Sequence, residues 1–208
     1  MNKINFRYKR FYTSAILIII TFFFSSNLFA QAIEITPTYG YQFGTKLNFG
    51  PNYIKVSGSD QWRVTLGFET YDDLMVELSY THQGAELNIR DILISPTENR
   101  LTDISGDWIM VGGTKYFPRG KIRPFVGGAL GIVILSPSNE NRNIINISLD
   151  NETKFAFSFK GGINIMFSDK IGLNLQGNLM FPVDWGGVSA GAGVSSTTLI
   201  GGFSGGLV

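Results

Sequence analysis

Residues 155–181 read FAFSFKGGINIMFSDKIGLNLQGNLMF. An apolar side chain stands at almost every second position, the pattern pauses at Ser168-Asp169-Lys170, and the same alternation resumes. Successive side chains leave a strand on opposite sides, so this period of two predicts a two-stranded hairpin with a short turn. One face carries Phe155, Phe157, Phe159, Ile163, Ile165 and Phe167, then Ile171, Leu173, Leu175, Leu179 and Phe181; the other carries Lys160, Asn164, Asn174, Gln176 and Asn178. So broad an apolar face does not stay in water: it meets either a protein core or lipid.

The start of the chain bears on that choice. A basic opening (Lys3, Arg7, Lys9, Arg10), an apolar run from Ala15 to Phe24 and a small-residue region ending LFAQA predict a secretory signal peptide over residues 1–30, with cleavage after Ala30 or Ala32. Residues 31–208 are then the mature domain, with 13 cations against 16 anions and a net charge of −3. Nothing in that balance argues for nucleic acid. The chain has no cysteine and one histidine, His82, which leaves no disulfide framework, no cofactor motif and poor support for a transition-metal site. Beyond the leader no apolar run is long enough for a spanning helix, so a membrane location requires a closed barrel, the other fold that satisfies every backbone group in lipid.

The alternation recurs along the whole mature chain. Ile33 to Gly44 places Ile33, Ile35, Tyr39, Tyr41 and Phe43 on one face; the stretch from Gln61 places Trp62, Val64, Leu66 and Phe68; that from Leu74 places Leu74, Val76, Leu78, Tyr80 and His82. IRPFVGGALGIVI, from Ile122, and the glycine-rich LIGGFSGGLV, from Leu199, continue it. The segment from Asp107 reads two ways, with either Trp108, Met110, Thr114 and Tyr116 or Ile109, Val111 and Phe117 on the apolar side, a bulge at Gly112-Gly113 being able to switch them. The Trp108 phase is preferred because it leaves Asp107 and Lys115 together on the opposite face. The total is eight strands of about 9 to 13 residues, close to what a tilted strand needs to cross a bilayer. Their connections alternate long and short, with Thr45–Asp60, Ala85–Gly106, Ser136–Thr153 and Pro182–Thr198 at one end of the barrel. The expected fold is an all-β, eight-stranded antiparallel up-and-down transmembrane barrel. The rival is a secreted sandwich or soluble barrel with its apolar face turned inward.

Two groups of residues follow from that fold. Trp62, Trp108, Trp185, Tyr41, Tyr80 and Phe181 fall at the long-loop end, as an interfacial aromatic girdle requires. The strand charges Glu34, Arg63, Glu69, Glu77, Lys115, Arg123 and Lys160 lie in the other phase and predict a charge network in the lumen, with carboxylates on the first three strands facing Lys115 and Arg123 and with Lys160 at mid-depth. The interior of an eight-stranded barrel is just wide enough for its own side chains, so these charges read as a plug ahead of an ion path. Five glycine pairs, at 112-113, 127-128, 161-162, 201-202 and 205-206, read as relief of crowding in a tight barrel.

On this architecture and on RPFVGGALGI (residues 123–132), the chain resembles the small eight-stranded outer-membrane barrels of OmpA, OmpX and OmpW type. The resemblance implies an outer-membrane location, with lipid and the outer-membrane assembly machinery as partners; that no enzyme is expected follows from the residues around the single histidine, His82. Many such barrels end in an aromatic residue, whereas this sequence ends Leu207-Val208, so its recognition by that machinery is expected to use another signal. The role expected first is structural, or binding of a surface ligand or membrane-complex partner through the long loops, where ILI at 92–94 suggests strand extensions able to pair with a partner's edge. Passage of small hydrophobic molecules, as OmpW-like relatives imply, comes second. Lipid A modification comes last, because Tyr80 and Gly84 flank His82 on its face and give it no serine nucleophile.

Overall fold

The computed structural model describes residues 32–71, 73–93, 95–117, 120–138, 150–183 and 199–208. The predicted leader and Trp185 lie outside these residues. Among the described residues there are ten strands: β1 (Ile33–Gln42), β2 (Thr45–Phe49), β3 (Asn52–Val56), β4 (Ser59–Tyr71), β5 (Leu74–Asp91), β6 (Ser95–Tyr116), β7 (Ile122–Ser138), β8 (Glu152–Met166), β9 (Gly172–Val183) and β10 (Ile200–Leu207). Eight of them close a ring in the order β1-β4-β5-β6-β7-β8-β9-β10, every pair antiparallel and β10 returning to β1. Closure leaves no free edge within the ring, as lipid demands of backbone groups.

The short turns sit at one end. Asp73 (φ 65°) and Gly120 (φ 64°) take the left-handed conformation that reverses the chain there. Between β8 and β9 the Ser168 hydroxyl accepts from the backbone N–H of Lys170 (3.3 Å) and of Ile171 (3.2 Å). At the opposite end the strands run further than their hydrophobic pattern suggests. β5 and β6 stay paired beyond Gly84–Ser105, and the polar stretch 45–56 folds as the hairpin β2–β3, which pairs with the upper part of β5 from Tyr53↔Arg90 to Val56↔Leu87. Register shifts at Leu87/Asn88 and Ile89/Asp91 break the alternation of β6 in this region, which is why it reads as loop in sequence.

The burial pattern is that of a soluble protein turned inside out. Thr36, Thr65, Thr81, Gln61, Asn164 and Gln176 are buried inside the ring, while Ile35, Val76, Val111, Leu130, Phe159 and Phe203 are exposed on its outer wall. A soluble barrel requires the reverse, so the outer wall is the lipid-facing one. The interior also holds two small apolar clusters. Trp108, Met110, Val133, Ala156 and Met180 fill the long-loop half; Met75, Tyr116 and Phe125 fill the short-turn end.

Strand β6 takes the phase opposite to the preferred reading. Ile109, Val111 and Phe117 are exposed on the lipid face, and Trp108, Met110, Thr114 and Tyr116 are buried inside. No bulge occurs at Gly112-Gly113; both glycines stay in register with β5 and β7. The glycine pairs do split by face. A Cβ on inward Gly127 would meet Thr114 Oγ1 at 2.6 Å and Lys160 Cε at 3.0 Å, whereas one on outward Gly128 would meet nothing nearer than 3.6 Å.

Candidate functional site

The candidate site is the lumen, because strand alternation delivers every second side chain of eight strands to it. At mid-depth Lys160 Nζ, from β8, lies 2.6 Å from Glu77 Oε2, from β5. Glu77 stands between Gly67 and Gly112 on the neighbouring strands, which leaves lateral room for its carboxylate. The Lys160 ammonium also lies 5.6 Å from the centroid of the Phe125 ring. Arg63 donates from Nε to Thr81 Oγ1 (2.7 Å) and reaches Met180 Sδ with Nη2 (3.6 Å).

Toward the short turns, Glu34 accepts from the Tyr116 hydroxyl (2.7 Å) and the Thr36 hydroxyl (3.0 Å). Two further pairs bond between adjacent strands: Asn174 to Asn164 (2.7 Å) and Gln176 to Ser204 (3.1 Å). Asn178 is best satisfied with its nitrogen toward Gly202 O (3.0 Å) and its oxygen accepting from Arg63 Nη2 (3.3 Å). The lumen is thus crossed by the Tyr116–Glu34, Lys160–Glu77 and Arg63–Asn178 contacts.

On the outer wall, near the long-loop end, Trp62 packs against Tyr80 (ring centroids 5.2 Å apart) and His82 (5.8 Å). Asp107 faces the same way: Tyr80 donates its hydroxyl to Asp107 Oδ1 at 2.5 Å, and His82 Nδ1 lies 2.8 Å from that oxygen. One strand further round, Tyr39 donates to Asp60 Oδ2 (2.6 Å). Ser105, also on the outward phase of β6, gives its hydroxyl to Ser136 O (3.2 Å). Rings with polar tips bonded to carboxylates suit the boundary between hydrocarbon and headgroups.

No family model matches the chain, and no curated relative does. Among solved structures, Neisserial surface protein A superimposes with a TM-score of 0.55 at 13% identity, over 85% of this chain and 97% of that one. The outer membrane protein OprG from Pseudomonas aeruginosa gives a TM-score of 0.57 at 13% identity, over 85% of this chain and 95% of that one. The fold is that of the small outer-membrane β-barrels.

Within this outer-membrane barrel fold the sequence-predicted residues divide. Glu34, Arg63, Glu69, Glu77, Arg123 and Lys160 lie on the inward phase of their strands, but the partners differ from those expected: Glu77 meets Lys160, and Glu34 meets a tyrosine. Lys115 is a correction. It lies on the exposed outer face of β6 at the short-turn end, where it follows the phase of Ile109 and Val111. A lipid-face cation costs little near the edge of the apolar belt, where a lysine stem extends its charge to water. Asp107 is likewise outward, at the opposite edge, and compensated by Tyr80 and His82.

In the girdle, Trp62 (44% exposed) and Tyr41 (40%) face outward, with Tyr80 and Phe181 half-buried on the same wall, Phe181 set edge-on to Phe159 at 6.0 Å. Trp108 is the second correction: it is 0% exposed and belongs to the upper lumen. Gly106 leaves its indole room there, since a Cβ on that residue would sit 3.3 Å from Nε1. Counting charges on one strand at a time missed this; the signal that finds it is the cross-strand pairing of Asp107 with His82.

Proposed function

We propose that this chain is an integral outer-membrane protein, exported behind a leader removed near residue 30, whose lumen is closed by its own side chains and whose task is carried at the long-loop end. The observation that supports this most is the Glu77–Lys160 contact at mid-depth, with the Trp108 cluster stacked above it. An eight-stranded ring has no width left for a water column once those groups meet. The extension of β2, β3, β5 and β6 is then the part available for a structural or surface-binding role. It presents Tyr53 with Lys46 Nζ 3.7 Å over its ring and an ion pair between Lys55 and Glu98 (3.3 Å). Of the stretch 92–94 expected to extend a strand toward a partner, Ile92 and Leu93 form an exposed turn after β5 and Ile94 lies outside the described residues; the upper edge of β5 is taken by the chain's own β3, and β2 with Lys46 becomes the outer edge. A lysine on an edge strand discourages unselective pairing, which favours recognition by side chains.

Detergent-extracted protein should show heat-modifiable mobility on a gel, and purified protein in planar bilayers should give no steady conductance. A stable open current would overturn the plug; a processed chain that stays monodisperse without detergent would overturn the membrane assignment altogether.

A second reading, passage of small hydrophobic molecules, is favoured by the apolar upper lumen and by the half-buried Ile54, Val56, Leu87 and Ile89 on the inner phase of the extension. Faster uptake of a hydrophobic dye into protein-bearing vesicles than into empty ones would support it. Lipid modification is not part of the proposal: His82 is bonded to Asp107 and the Ser105 hydroxyl to backbone. Unchanged lipid A masses on expression are the expected outcome.

A further inference from the structure

We propose that the outward face of the extension, across β2, β3 and β5, binds the phosphorylated oligosaccharide headgroup of the outer-leaflet lipid beside the barrel. The proposal rests on the surface-binding role above and names its partner class. Even-numbered side chains of β5 face outward from Leu74 to His82, and the same phase continues upward to Asn88 and Arg90. The face therefore continues the lipid-facing wall and looks sideways at whatever stands next to the barrel. Register with β3 adds Tyr53 opposite Arg90 and Lys55 opposite Asn88; register with β2 adds Lys46 opposite Lys55.

Three cations gather there around one ring. Lys46 Nζ lies 3.7 Å and Arg90 Cζ 5.9 Å from the Tyr53 centroid, and Lys55 Nζ lies 3.3 Å from Glu98 Oε1. Among the described residues the cluster sets one acid, Glu98, against Lys46, Lys55 and Arg90, so positive charge is in excess. Lys46 and Lys55 stand directly opposite each other, a like-charge pairing that destabilises a sheet. An anion bound between them removes that cost, and the tyrosine holds two of the cations in place before it arrives. Lower on the same face the sign reverses. Glu86 stands opposite Asp103, which pairs with Arg100 (3.4 Å), and Asp60 and Asp107 follow at the level of the aromatic girdle.

Height selects the lipid. Asn88 and Arg90 stand six and eight residues beyond His82 on β5. At about 3.3 Å per residue and a tilt of about 40°, they lie roughly 15 and 20 Å above the girdle. A phospholipid headgroup extends only about 5 to 8 Å beyond the hydrocarbon, and the acids at the girdle repel its phosphate. A lipid that carries its anionic groups on an oligosaccharide reaches the cluster from the side.

The test uses the mature chain, isotope-labelled in phosphatidylcholine nanodiscs. Three lipids are titrated in: lipopolysaccharide with its phosphorylated core, the same lipid with the core phosphates removed, and lipid A alone. The expected result is a saturable shift of the Lys46, Lys55 and Arg90 amide resonances with the intact glycolipid only. Lys46→Gln and Arg90→Gln should each weaken its affinity about fivefold, the usual contribution of one basic residue beside an anionic lipid surface. Lys170→Gln, in the turn at the opposite end, should leave it unchanged. Equal shifts with lipid A alone, no shift with any of the three, or undiminished affinity in folded Lys46→Gln and Arg90→Gln proteins would overturn the proposal. Dextran sulfate that shifts the same amides equally with and without the glycolipid would show a face open to soluble polyanions, and would overturn it too. Heat-modifiable mobility and incorporation into nanodiscs test the membrane reading separately; if the variants do not fold, the three lipids on the unmodified protein decide.

Discussion

Lys160 Nζ and Glu77 Oε2 meet at 2.6 Å although their residues lie 83 positions apart in the chain. The strands that carry them, β8 and β5, stand three places apart around the ring, and both side chains are largely buried. Removing one partner of a buried pair leaves an uncompensated charge, which typically costs about 3 to 5 kcal/mol. Glu77→Leu is expected to destabilise the barrel by about that amount in urea unfolding from lipid vesicles. Glu77→Leu combined with Lys160→Met is expected to recover most of the loss, because no charge is then stranded. An unchanged midpoint in the single variant would show that the contact carries no stability.

The opposite facing of two tryptophans is measurable directly. In variants retaining only Trp62 or only Trp108, lipids brominated on their acyl chains should quench Trp62 and leave Trp108 emission nearly unchanged, since Trp62 is exposed on the outer wall and Trp108 is sealed in the lumen. Equal quenching would return β6 to the other phase.

Depth should decide what a charge costs on the outer wall. Leu78 is paired with Leu66 and Val111 in the middle of the apolar belt, and Lys115 lies at the short-turn edge. Leu78→Arg is expected to cost about 2 to 4 kcal/mol, and Lys115→Met less than about 1 kcal/mol in either direction. Comparable losses at the two sites, read in the same vesicle unfolding assay, would contradict a lipid boundary at the short-turn edge near Lys115.

The extension above the membrane should respond to pH at its Tyr53–Glu98 contact, where the tyrosine donates to Glu98 Oε2 at 2.5 Å. That bond holds the Glu98 carboxyl below its ordinary value of 4.5 and raises the Tyr53 phenol above its ordinary 10.0. A lowered acid contributes stability above its unfolded value that is lost as pH falls through the folded one; a raised phenol contributes below its unfolded value and loses it as pH rises through the folded one. Docking of β3 against β5 is therefore expected to be firmest between those limits. Protection of the Tyr53 and Arg90 amides, taken relative to the intrinsic exchange rate at each pH, should fall on acidification below pH 4.5, and Glu98→Gln should remove that acid response. An identical response in that variant would assign it to another group.

Much of the barrel was legible because side-chain direction along a strand is a local property: in every ring strand except β6 the alternation alone assigns the lipid face correctly. The long and short connections gave the up-and-down order for the same reason, since turn residues such as Asp73 and Gly120 act where they stand. The β2–β3 hairpin escaped because its strands are only five residues each, too short for a period to stand out within a polar stretch.

Alternation of side chains, the export signal pattern and the scarcity of cysteine and histidine are written into the sequence, and they suffice for an inside-out eight-stranded ring. The phase of β6, the pairing of Glu77 with Lys160 and the place of Trp108 were decided only by tertiary structure. The physical reason is that the cost of Asp107 on the outer wall depends on Tyr80 and His82 across the strand gap, and the partner of Glu77 depends on which strands face each other across the lumen. Such neighbours are set by closure and register of the ring, and no local period encodes them.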